Sequence, residues 1–125
     1  MRRCAAWLPV IAWAGAIFAL SSLTNDLFGF LGVKVVRKIG HMIEYFVLAF
    51  LVYAAVRKTF RWDEEGAATV AGLVPFLYAL SDEFHQYFVS TRICDARDIV
   101  FDMIGVTCFF VALDYCNARK KARCR

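Results

Sequence analysis

The sequence lacks several patterns that identify common classes of soluble protein. Its five cysteines are odd in number and show no CxxC or other metal-ligand spacing, which argues against a disulfide framework and against a zinc site. Its 15 lysine and arginine residues form no patch interleaved with stacking aromatics, so the net charge of +4 does not indicate nucleic-acid binding. No internal repeat, low-complexity linker or evident catalytic nucleophile is present. We therefore expect free thiols that pack as small hydrophobic side chains.

Apolar residues, in contrast, are abundant. They make up 61% of the 125 residues, whereas soluble domains contain about 45–50%. A soluble chain of this length has too little interior to hide so much Phe, Leu, Val and Ala. The composition predicts a single membrane domain over residues 1–125.

The apolar segments predict an all-α fold, a four-helix transmembrane bundle. We expect its helices at about residues 5–22, 39–56, 67–88 and 96–116. The first segment also has the shape of a signal peptide, because basic residues precede it and Ala19-Leu20-Ser21 is a tolerable cleavage site. A retained helix is favoured by small residues at helical spacing, which suit close helix contact: Ala12, Gly15, Ala16 and Ala19. Leu23–Val36 is predicted to be a loop, either re-entrant or interfacial.

The distribution of basic residues predicts the orientation of this bundle. Ten of them fall on the side of the two termini: Arg2, Arg3, Arg57, Lys58, Arg61, Arg119, Lys120, Lys121, Arg123 and Arg125. Five fall on the other side: Lys34, Arg37, Lys38, Arg92 and Arg97. Because cytoplasmic loops carry the excess of Lys and Arg, both termini are predicted to be cytoplasmic.

Polar residues recur on one face of three predicted helices, toward the outer side. These faces carry Lys38, His41 and Tyr45 on the second helix, Asp82, Glu83 and Gln86 on the third, and Asp98, Asp102 and Gly105 on the fourth. An ionisable residue at the centre of a membrane helix costs roughly 2.5–3.5 kcal/mol on insertion scales. We therefore interpret the three faces as walls of an outward-facing polar pocket, with Arg92 as the natural partner of the carboxylates.

Some of these residues also have purely structural explanations. Lys38 would anchor a helix end by extending to lipid headgroups. Asp98 would stabilise the first turn of its helix through the helix dipole. His41 would be a neutral core histidine that donates to a backbone carbonyl.

The composite pattern resembles a known family. The motif Lys38-x-x-His41-x-x-x-Tyr45, then Asp82-Glu83-x-x-Gln86, then Arg92-x5-Asp98-x-x-x-Asp102-x-x-Gly105 is similar to that of the VanZ-like proteins. These are small multi-helix bacterial membrane proteins named for a protein associated with teicoplanin resistance. The resemblance implies a multi-pass protein of the bacterial cytoplasmic membrane. It also supports a site formed by Lys38, His41, Tyr45, Asp82, Glu83, Gln86, Arg92, Asp98 and Asp102.

Three functions fit this pocket. The first is binding or handling of a phosphorylated cell-envelope lipid or precursor, with Lys38, Arg92 and Arg97 on the phosphate. The second is a metal-assisted hydrolase or transferase, in which His41 is the general acid or base and a divalent cation is held by Asp82, Glu83, Asp98 and Asp102. The third is proton or cation translocation through the carboxylates. No cofactor is evident in the sequence, and binding of a divalent cation is left as an open alternative. The expected partners are the bilayer and a lipid-linked precursor, with homo-oligomerisation open and nucleic acid excluded.

Overall fold

Four long α-helices follow one short 3-10 helix along the described chain. The structure is a computed structural model that describes residues 4–27, 34–87 and 97–123, with the backbone alone at residues 22–27, 34–37, 86 and 87. After the 3-10 helix Cys4–Ala6, the α-helices are α1 (Leu8–Leu27), α2 (Lys34–Phe60), α3 (Glu64–Tyr87) and α4 (Arg97–Arg123). No strand occurs within these ranges. The predicted all-α class with four helices is confirmed.

Three stretches of helix are long and apolar enough to cross a membrane. They are Cys4–Ser21, Lys38–Phe60 and Arg97–Arg123, each containing a window with a mean hydropathy of 1.8. At 24 residues α3 is also long enough, about 36 Å at 1.5 Å per residue, but its last two turns are polar. Large apolar side chains such as Ile11, Phe50 and Val111 are exposed on the outside of the bundle, where lipid would cover them.

The helices are longer than the sequence predicts. The predicted loop Leu23–Val36 is wrong at both ends, because α1 continues to Leu27 and α2 already begins at Lys34. Polar residues such as Thr and Asn lower helix propensity by only a few tenths of a kcal/mol, which helix packing overrides. Likewise α2 continues to Phe60 and α4 to Arg123, since basic residues in a last turn interact favourably with the helix dipole.

The turn between α2 and α3 shows why one helix ends and the next begins. Arg61 adopts a left-handed conformation with φ 56, which stops α2. Asp63 Oδ1 then accepts a hydrogen bond from the Gly66 backbone N–H at 3.1 Å and caps α3. Glu64 and Glu65 follow in the first turn, where the helix dipole favours negative charge.

Helix α2 lies at the centre of the bundle and packs against each of the other three, most extensively against α4. Near the start of α1 the Trp7 indole N–H donates to Thr59 Oγ1 near the end of α2, at 3.2 Å. The start of α3 meets the end of α4, because Asn117 donates to Glu64. Both ends of the described chain therefore lie at one end of the bundle, which we call the terminal end. The opposite end is called the polar end.

Helices α2 and α4 come closest at a single glycine. A Cβ atom on Gly105 would lie 2.1 Å from the Met42 carbonyl oxygen, well inside van der Waals contact. Further along the same contact, Phe109 is buried against the rings of Phe46 and Tyr53. The glycine thus sets the spacing of the two helices at the polar end, and aromatic packing takes over toward the terminal end.

Candidate functional site

A histidine and a carboxylate face each other between α2 and α4. His41 Nδ1 lies 3.1 Å from Asp102 Oδ1, within hydrogen-bond distance. The two residues are only 7% and 4% exposed. Because each is on the predicted polar face of its helix, the spacing read from the sequence correctly oriented both faces toward the bundle interior.

A second polar contact joins α1 to α3. The Ser21 hydroxyl donates to the Asp82 carboxylate, with distances of 3.2 Å to Oδ1 and 3.0 Å to Oδ2. Both residues are buried. Sequence reasoning missed Ser21, since we treated it as the polar end of an apolar run rather than as part of a site. The available signal was that a serine directly follows the apolar run Ala5–Leu20.

The two contacts belong to one cluster that involves all four helices. Asp102 lies in the electrostatic field of both Asp98 and Asp82. Glu44, half-buried on α2, interacts with His41, Asp102 and Asp82. We call this set the polar cluster: Ser21, His41, Glu44, Asp82, Asp98 and Asp102. Its buried members would be costly in hydrocarbon unless they served each other or a ligand.

Tyr45 lies one turn further into the bundle than His41. It is 0% exposed, and its ring is 6.4 Å from the ring of Tyr78, centroid to centroid. The two hydroxyls differ: Tyr78 donates to the Ala14 carbonyl at 2.6 Å, whereas the buried Tyr45 hydroxyl finds no hydrogen-bond partner in the part of the chain that the structure describes. The strongest charges acting on the Tyr45 side chain are those of Asp102 and Asp82.

Cationic side chains lie at the edge of the cluster. The Lys38 Nζ atom sits 4.4 Å from the centre of the Phe101 ring, a cation–π contact between α2 and α4. Arg97, the first residue of α4, is exposed, and Glu83 is half-buried. His85 lies outside the cluster, because it is exposed and packs on Phe18 with ring centroids 4.7 Å apart.

Two predicted site residues lie outside the described side chains, Gln86 and Arg92. We predicted Arg92 as the partner of the buried carboxylates, and that contact stays a prediction. For Asp102 and Asp82 the structure provides other partners, the His41 ring and the Ser21 hydroxyl.

Metal binding has little geometric support in the described residues. Among them, no three His, Cys, Asp or Glu side chains are arranged to hold a metal ion, and this includes the candidates Asp82, Glu83, Asp98 and Asp102. Cys4, Cys108 and Cys116 are free thiols, as predicted, although they are exposed on the bundle rather than packed inside it. Cys94 and Cys124 lie outside the described residues.

Comparison with known proteins adds the family. The family model described as VanZ/LLP1 matches residues 5–116. The chain belongs to the VanZ/LLP1 family. The match includes α1, which the motif-based resemblance over residues 38–105 did not cover.

A curated relative of this VanZ/LLP1 protein is the uncharacterized membrane protein YwnJ of Bacillus subtilis (strain 168). The two are 29% identical over 86 residues, which cover 69% of this chain and 54% of YwnJ. The chain thus spans about half the length of the curated relative that it matches. No solved structure matches the chain. Family membership, the relative and the apolar helices together identify a membrane protein.

Proposed function

We propose that this VanZ/LLP1 protein binds a phosphorylated lipid, or a lipid-linked precursor, of the bacterial cell envelope at the polar end of its bundle. The observation that carries the proposal is the polar cluster, in which four helices bring Ser21, His41, Asp82 and Asp102 into buried contacts. Apolar residues of the same size would stabilise the bundle at least as well as these buried polar groups. Their presence therefore calls for a functional reason. A ligand with a polar headgroup accounts for them.

The charges divide the proposed site into two parts. The interior is acidic, so a phosphate placed beside Asp82 and Asp102 would be repelled. Its favourable position is the rim, where Lys38 and Arg97 supply positive charge and where we also expect Arg92. The inner carboxylates would then accept hydrogen bonds from uncharged parts of the headgroup.

We further propose that all four helices cross the bacterial cytoplasmic membrane with both termini in the cytoplasm. This proposal is supported by two features: both ends of the described chain lie at the terminal end, and the last turns of α2 and α4, which lie there, are rich in Lys and Arg. A fluorescent protein fused after Arg125 is expected to fluoresce, and alkaline phosphatase fused there is expected to be inactive. Active phosphatase at that position would contradict the orientation.

The binding proposal predicts a specific effect of Lys38. In purified protein, Lys38→Ala is expected to weaken binding of a polyprenyl phosphate about tenfold or more, because one charge-assisted hydrogen bond is worth roughly 1.5–3 kcal/mol. Arg92→Ala is expected to act in the same direction. The measurement is the dissociation constant in neutral detergent, with the matching polyprenol, which lacks the phosphate, as the reference ligand.

Lys58→Ala is the matched control, since it removes the same charge from α2 at the terminal end, where Lys58 is exposed. It should leave the dissociation constant unchanged. Equal binding of polyprenyl phosphate and polyprenol by the wild-type protein, or unchanged binding in both Lys38→Ala and Arg92→Ala, would refute the proposal.

If the protein handles an envelope lipid, its expression is also expected to alter teicoplanin susceptibility, as the family resemblance implies. The comparison is the inhibitory concentration of teicoplanin for cells that express wild-type protein or Lys38→Ala. The same concentration in both strains and in cells without the protein would contradict this link.

A second function is favoured by the number of carboxylates near one imidazole. Glu44, Asp98 and Asp102 act on His41, and Asp82 acts on Glu44 and Asp102. Neighbouring ionisable groups of this kind mark proton or cation pathways in membranes. A proton or cation flux in proteoliposomes no higher than in empty vesicles would contradict this function.

The metal-assisted hydrolase remains an alternative, to be tested by metal analysis of protein purified without chelator and by a phosphatase assay.

A further inference from the structure

The buried hydroxyl of Tyr45 differs from the other hydroxyl groups near the cluster. Ser21, His41 and Tyr78 each have a hydrogen-bond partner, whereas the Tyr45 hydroxyl finds none among the described residues although the side chain is 0% exposed. A buried hydroxyl without a partner is unfavourable, since it has lost its hydrogen bonds to water. Native structures rarely keep such a group unless something else satisfies it.

The surroundings of this hydroxyl restrict what can satisfy it. Asp102 and Asp82 are the charges that act on it most strongly, yet neither lies within hydrogen-bond distance. A group placed between them has to accept the phenolic hydrogen and donate to a carboxylate. A metal ion or an ammonium group has no lone pair with which to accept that hydrogen, whereas a hydroxyl oxygen both accepts and donates.

We propose that Tyr45, Asp82 and Asp102 form a subsite for one hydroxyl oxygen, supplied either by the headgroup of the bound lipid or by a water molecule. The Tyr45 hydroxyl donates to this oxygen, which donates in turn to a carboxylate. A carboxylate offers about four lone-pair directions, so Asp102, which contacts His41 through Oδ1, has others with which to accept from this oxygen. The subsite is built from α2, α3 and α4, so its geometry depends on the packing of the whole bundle.

The alternative in which the lipid headgroup supplies the oxygen rests on the proposed lipid function. It makes that function more specific. Lys38 and Tyr45 are two helical turns apart on α2, about 10 Å along the axis. A phosphate at the Lys38 rim and a hydroxyl at Tyr45 then define a ligand in which a short polyol or sugar extends from the phosphate into the bundle. The ligand class is a phosphate-linked, hydroxyl-bearing headgroup.

Two lipids of equal charge test this inference. Phosphatidylglycerol carries headgroup hydroxyls and phosphatidylpropanol carries none. If the headgroup supplies the oxygen, the wild-type protein binds phosphatidylglycerol about three- to tenfold more tightly, the ratio to which one neutral hydrogen bond corresponds. Tyr45→Phe is expected to abolish the preference without changing the affinity for phosphatidylpropanol. Tyr53→Phe, a matched hydroxyl deletion nearer the terminal end, is expected to preserve it.

Thermal unfolding in lipid-free neutral detergent tests the alternative in which a water molecule supplies the oxygen. If water fills the subsite, both lipids bind equally, and Tyr45→Phe lowers the unfolding temperature, as does Tyr78→Phe, which removes the hydrogen bond to Ala14. No lipid preference together with an unchanged or raised unfolding temperature for Tyr45→Phe would overturn the subsite. Failure of the lipid function gives another result, in which neither anionic lipid binds better than phosphatidylcholine.

Discussion

Gly105→Ala is expected to destabilise the bundle by at least about 3 kcal/mol, at or above the usual cost of overpacking a core. The added methyl group would lie 2.1 Å from the Met42 carbonyl oxygen, and also close to the Met42 carbonyl carbon and Cα. These are backbone atoms of a helix, which cannot turn aside as a flexible side chain would. The free energy of unfolding, measured by SDS titration in mixed micelles, should therefore fall sharply.

Gly40→Ala is the matched control for this prediction. Gly40 is on α2, two residues before Met42, and a Cβ atom there meets nothing within 4 Å. Since alanine is a better helix former than glycine by roughly 0.5–1 kcal/mol, this variant should be as stable as the wild type or slightly more stable. Equal stability of Gly105→Ala and Gly40→Ala would show that α2 and α4 do not approach as described.

The close approach at Gly105 also positions the candidate site. Asp102 lies one turn before Gly105 on α4, and His41 directly precedes Met42 on α2. The glycine contact and the His41–Asp102 contact are thus adjacent along the same helix pair. Moving the helices apart by more than 1 Å would lengthen a 3.1 Å contact beyond hydrogen-bond distance. We infer that the contact between His41 and Asp102 requires glycine at residue 105.

The faces of the candidate site were predictable from the sequence because helical periodicity is a local property. The spacings of His41 and Tyr45 and of Asp98 and Asp102 placed each pair on one face, and a polar face in an apolar helix has to point inward. The partner of each side chain was not predictable, since it depends on the register of helices far apart in sequence. For that reason the contacts of His41 and Ser21 with the carboxylates could not be read from the sequence, and the contact predicted for Arg92 stays a prediction.

Close helix contact illustrates the same limit. The small residues of α1 suggested that it packs tightly on a neighbour, yet a Cβ atom on Gly15 would have nothing within 4 Å. The tight contact is at Gly105, a single glycine that follows Asp98 and Asp102 at helical spacing. Small residues permit close approach, but the register of the bundle determines which of them is used.

The His41–Asp102 contact is expected to give strong coupling in a double-mutant cycle. Asp102→Ala leaves the buried imidazole without its partner, and His41→Ala leaves a buried carboxylate. Each single change is expected to lower the free energy of unfolding by about 1–3 kcal/mol, and by more where the remaining group keeps its charge. The double variant removes both groups, so its loss should be smaller than the sum by roughly 0.5–3 kcal/mol.

Glu64 and Asn117 provide the control cycle. They also form a hydrogen bond between two helices, but at the terminal end and with both residues outside the core. Water replaces that interaction when either side chain is removed, so the coupling should be close to zero. If His41 and Asp102 showed the same additivity as this exposed pair, their contact would not stabilise the bundle. Strong coupling would instead mean that a bound headgroup meets a preformed polar pair, which reduces the ordering cost of binding.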